Sequence, residues 1–215
     1  MNDLKTINGL SIPEGLYTNP SIGTENVDSS DLNTPILKII QKTTEGAENF
    51  KIGHYLLPNG SQEENVQVNL VFVSTEIGEN YNKTGEEKKK VYYGFFANTN
   101  EPFKMYVRGW GLASHRDFQT EIMRIKNDYS LPMLALEIGL STEKIEGTIA
   151  STGKPYTTFK PIFNIVKDAK GVPFVETDPE RVKFLTEAAK RFAEISEQSK
   201  NDEKMNEVNP EDVPF

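Results

Sequence analysis

The sequence predicts a mainly β domain with one inserted helix and one C-terminal helix. Three observations carry that expectation. Between positions 34 and 199, short apolar runs, several alternating with a period of two, are separated by Gly, Pro and Asn turns. One stretch of helical spacing interrupts them and a second ends them. No fixed-period repeat and no internal linker divides the region, so it reads as one domain. Many short strands with a helix among them fit a small, partly open β-barrel of the OB type, elaborated with insertions. A mixed α+β sheet is the competing arrangement.

The elements follow in order. Ile36–Ile40 is an apolar run, Lys51–Leu57 leads to a Pro58-Asn59-Gly60 turn, and Val66–Val73 alternates before becoming wholly apolar like a buried strand. A polar loop from Gly78 to Lys90 precedes Val91–Phe96, and a turn over Asn98–Pro102 makes a hairpin with Phe103–Arg108. Phe118, Ile122 and Ile125 predict a helix over Ser114–Lys126, with Ser114-His115-Arg116-Asp117 resembling a capping box that has Asp in place of Glu. Met133–Leu140, Lys144–Ala150 and Tyr156–Val166 read as further strands. Asp178-Pro179 opens the last helix, whose apolar face is Val182, Leu185, Ala189, Phe192 and Ile195.

Charge separates the ends from the body. The 215-residue chain has a formal net charge of -8. Positions 1–33 and 196–215 carry -4 each, which leaves 21 acids and 21 bases between them. Both ends are polar and lack sustained periodicity, so 1–33 is expected to be a flexible acidic segment and 200–215 a disordered acidic tail. With no basic field over the whole chain, any nucleic-acid contact must come from a local patch. No secretory start and no long apolar run is present, and the expectation is a cytoplasmic protein.

Several chemistries find no support. Cysteine is absent, which excludes disulfides, thiolate metal sites and cysteine nucleophiles. His54 and His115 are isolated, so no metal site is expected. Gly147–Lys154 superficially resembles a P-loop, but five residues separate its glycines and Pro155 stands where a magnesium-binding hydroxyl is needed. Glu76, Glu121, Glu137 and Glu143 offer carboxylates for a two-metal nuclease without any spacing that marks one. No cofactor and no catalytic residue is expected, and the chain does not read as an enzyme.

What is present is an interleaving of cations and aromatics on strands. In Phe103–Arg108, alternation puts Phe103, Met105 and Val107 on one face and Lys104, Tyr106 and Arg108 on the other, with Trp110 continuing beyond Gly109. Lys154, Tyr156 and Lys160 share a face of a later strand, and Lys88, Lys89 and Lys90 precede Tyr92. Single-stranded nucleic acid asks for this combination, cations along phosphates and rings beneath unpaired bases. The chain ends on Glu211-Asp212-Val213-Pro214-Phe215, an acidic segment with an apolar tip suited to a basic pocket on a partner.

With that tip and those strands, the chain resembles the single-stranded DNA-binding proteins of bacteria and their phages, in which an OB-fold core is followed by an acidic tail ending in Pro-Phe. Asn33–Gln41 followed by Gly53-His54-Tyr55 also looks like the opening of a diverged phage group. The resemblance implies sequence-independent binding of single-stranded DNA in replication, recombination or repair, in the host cytoplasm if phage-encoded. It also implies recruitment of replication and recombination proteins through Glu211, Asp212, Val213, Pro214 and Phe215. A homo-oligomer is compatible with it. A protein-protein adaptor or structural phage protein without nucleic-acid binding is the alternative.

Overall fold

The computed structural model describes residues 4–13, 34–79 and 86–206. The acidic tip and the remainder of the N-terminal segment lie outside these residues.

The core of the fold is a curled five-stranded antiparallel sheet. Its strands are β6 (Val66–Glu79), β7 (Glu86–Phe96), β8 (Pro102–Val107), β9 (Ile138–Thr148) and β10 (Pro155–Ile165), in spatial order β10-β9-β6-β7-β8. Helix α1 (Gly111–Tyr129) connects β8 to β9. Counted along the chain, the order is fifth, fourth, first, second, third, with a helix between third and fourth. This is an OB-like arrangement, and the chain is mainly β, as its alternating runs predict.

Ahead of this sheet come a hairpin of β1 (Leu4–Ile7) and β2 (Leu10–Pro13) and a three-stranded sheet of β3 (Lys38–Ile39), β4 (Tyr55–Leu56) and β5 (Gln62–Glu63). The first hairpin lies within the segment 1–33 expected to be flexible. Asn8 and Gly9 both take positive φ, 50° and 88°, which suits a two-residue hairpin turn whose twist matches its strands.

Residues 35–57 close the barrel. Pro35 and Leu37 bond to both backbone groups of Lys104 on β8, through Lys104 N–H to Pro35 O (2.8 Å) and Leu37 N–H to Lys104 O (2.9 Å). Further along, the Gln41 side chain bonds the backbone of Phe159 on β10, the Tyr55 hydroxyl donates to Ser141 O (2.9 Å), and Thr142 donates to Gly53 O (2.6 Å). This strap joins the two edges that the curled sheet leaves apart, and Leu37 and Tyr55 plug the interior.

Two apolar clusters explain why the central strands are hydrophobic on both faces. Inside the barrel lie Val68, Leu70, Val73, Tyr92, Phe96, Phe103, Met105 and Val107 with Phe118, Ile122 and Ile125 of α1. Outside it, Val71, Phe72, Val91, Tyr93 and Phe95 are covered by Leu185 and Ala189 of α2 (Pro179–Asn206). A register shift between Leu70 and Phe72 lets Val71 and Phe72 both face outward, so the run Leu70–Val73 is apolar throughout. Arg181 pins the start of α2, with Nη2 donating to Oδ1 of buried Asn69 (2.7 Å) and Nε 3.0 Å from Glu176. Asp178 accepts from the Glu180 N–H (3.1 Å), the cap expected from Asp178-Pro179.

Several boundaries differ from expectation. Helix α1 begins at Gly111, so Ser114 is a buried residue within its first turns rather than a cap. Met133–Ala135 forms a short 3-10 turn, and Ile138–Thr148 is one strand in place of two. Helix α2 continues to Asn206, past the expected domain limit at 199.

Candidate nucleic-acid interface

The alternation in β8 is realised as a buried and an accessible face. Phe103, Met105 and Val107 are within 2 % of full burial, whereas Lys104 and Tyr106 are half-buried and Arg108 is exposed. On the outer face the Tyr106 ring sits between two ammonium groups, Lys89 Nζ at 5.0 Å and Lys104 Nζ at 5.9 Å from its centroid. Cations within about 6 Å of a ring face are attracted by its quadrupole. Lys89 is also paired with Glu76 at 2.9 Å, so its charge is partly compensated.

Helix α2 bounds this face on one side. Phe192 packs on Tyr93 (5.1 Å between centroids) and Phe72 (6.4 Å), and Tyr106 touches the same cluster. The outer surfaces of β6 and most of β7 are therefore closed, and the accessible part lies on β8 and beyond it.

The other expected residues distribute as follows. Tyr92 departs from the expectation, because its side chain points into the barrel and is fully buried. Its hydroxyl lies 2.6 Å from His115 Nδ1, within hydrogen-bond distance, and accepts from Gln119 Nε2 (3.3 Å). Burial raises the Tyr92 phenol above its ordinary range. Burial, with help from Lys90 and Arg116, lowers His115 to about 4. Lys90 shares that inner face and donates to Thr75 Oγ1 (2.7 Å). Lys88 is exposed on the same side of the β6–β7 arm. Trp110 is 59 % exposed, but it stands on the turn that opens α1 rather than on the strand, since Gly109 takes φ 52°.

The second cluster on β10 is weaker in charge. Tyr156 lies across Gly147 of β9, whose missing Cβ would fall 2.7 Å from the Tyr156 hydroxyl. Lys154 is exposed in the β9–β10 turn. Lys160 pairs with Glu143 at 3.0 Å and lines a cleft that also holds Asp117 and Glu121, a poor setting for phosphate. Glu121 itself is drawn down to about 2 by Arg124 and Lys167. The strap, bonded to Lys104 of β8 and to Phe159 of β10, lies between the two clusters.

Among the described residues no three His, Asp or Glu side chains gather as metal ligands, and no helix is long and apolar enough to cross a membrane. Comparison with protein-family models, curated proteins and solved structures finds no match to this chain.

Proposed function

We propose that this protein binds single-stranded DNA without reading its sequence, covering exposed strands during replication, recombination or repair. The observation that carries the reading is the Tyr106 ring set between Lys89 and Lys104 on the outer face of β7 and β8. In OB-like barrels the second and third strands are where oligonucleotides lie, and β7 and β8 hold those positions here. Tyr106 would support a base, while Lys104 and Arg108 would meet phosphates and exposed Trp110 would stand at the end of the track. The recruiting role of Glu211–Phe215 rests on the resemblance of that tip.

A protein-protein adaptor is the second reading, favoured by one observation: Lys89 and Lys160 are both engaged by carboxylates. The test is joint replacement of Lys104, Tyr106 and Arg108 by alanine. Loss of single-strand affinity with an unchanged melting temperature supports DNA binding. An unmodified protein that binds no single-stranded DNA at low salt supports the adaptor.

A further inference from the structure

The strap that closes the barrel also extends its outer face. Ile36 pairs with Lys104 in parallel, and paired residues of a ladder point to the same side. Leu37 between them is 1 % exposed and turned inward, which sends Ile36 and Lys38 outward. Two residues beyond Ile36 stands Lys38, just as Tyr106 stands two beyond Lys104. Lys38 therefore continues the outward face that Ile36 opens beside Lys104, on the side away from α2. Lys38 is exposed, and among the described residues it has no carboxylate partner, unlike Lys89 and Lys160.

Resting on the single-strand reading above, we infer that the strap is part of the interface, with Lys38 as a phosphate-binding cation and Ile36 as an apolar shelf. Because α2 closes the β6 side, a strand leaving Tyr106 past Lys104 meets Ile36 of the strap next, with Lys38 beyond it. The ligand is one polynucleotide strand crossing the Lys89 end of β7, β8 and the strap.

The experiment measures affinity for an oligo-dT of about 20 nucleotides, longer than the usual site on one OB fold, over a salt series. Each lost phosphate contact on single-stranded DNA lowers the slope of log K against log salt by about 0.7 and weakens binding about fivefold at 0.1 M salt. Lys38→Gln is expected to show both effects with an unchanged melting temperature, and Lys38→Arg to retain binding. Lys170→Gln, in the β10–α2 connection, is the control and is expected to behave as the unmodified protein. If Tyr106→Ala weakens binding while Lys38→Gln does not, or if Lys170→Gln matches Lys38→Gln, the role of the strap is overturned and the single-strand reading stands. If the unmodified protein binds no oligo-dT, that reading itself falls and takes this inference with it.

Discussion

The Gln41 side chain pairs with the backbone of Phe159 as a neighbouring strand would. Its Nε2 donates to Phe159 O at 2.8 Å and its Oε1 accepts from Phe159 N–H at 2.9 Å. One side chain thus caps both backbone groups of a residue on an edge strand, 118 positions away, and fastens the strap to β10. Replacing Gln41 with Ala removes both bonds and leaves partly buried backbone groups unsatisfied. The expected loss is about 1–3 kcal/mol, read as a lower urea midpoint with little change in slope.

Gly53 depends on the same contact. It takes φ 88°, and a Cβ there would lie 2.6 Å from the Phe159 ring. Gly53→Ala therefore meets both a strained backbone and a clash, and is expected to cost more than a simple Gly-to-Ala change at an open turn such as Gly60. Thermal unfolding of the two variants side by side checks this. Equal melting temperatures would show that the strap yields at Phe159.

Two tyrosines only fourteen residues apart should separate stability from binding. Tyr92→Ala empties a fully buried site and is expected to destabilise by about 3–5 kcal/mol. Tyr106→Ala is expected to leave the fold intact and to cost about 1–3 kcal/mol of single-strand affinity, the value of one base stack. Paired melting and anisotropy titrations distinguish the two, and the reverse pattern would move the interface away from β8.

How the sequence anticipates this pair shows where local patterns run out. In Phe103–Val107 one face is core and the other accessible, so alternation assigned Tyr106 correctly. Over Val91–Phe96 of β7 both faces are buried, one by the barrel and one by α2, so alternation could group Tyr92 with Phe96 but could not say which group met solvent. The strap was equally hidden. Ile36–Gln41 is visible as an apolar run, but its bonds to Lys104 and Phe159 are long-range and leave no local period. The Asn8-Gly9 turn carries a local hairpin signal, set among polar neighbours. For the start of α1, Ser114-His115-Arg116-Asp117 imitates a cap, whereas Gly111 marks the true first turn because a side chain there would press on Val107 and Pro161.

His115 supplies a pH dependence. Its folded pKa of about 4 lies below the ordinary 6.5, so between those values the unfolded chain binds the extra proton. Stability accordingly rises with pH across that window and is lost as pH falls from 6.5 towards 4. The shift is an upper bound of about 3 kcal/mol, reduced by solvent screening because the ring is only half-buried. His115→Gln is expected to flatten the melting temperature between pH 4 and 6.5. An unchanged profile would show that His115 does not set the acid sensitivity in that window.

The central claim is that the outer face of β7 and β8 holds single-stranded DNA on Tyr106. The most direct measurement is anisotropy of a labelled oligo-dT titrated with the protein over a salt series, against the equivalent duplex and against Tyr106→Ala, with Trp110 emission followed in parallel. The account predicts binding to the single strand that weakens with salt, quenches Trp110, exceeds duplex binding and falls on loss of Tyr106. Absence of binding at low salt, or binding that is indifferent to Tyr106, would contradict it.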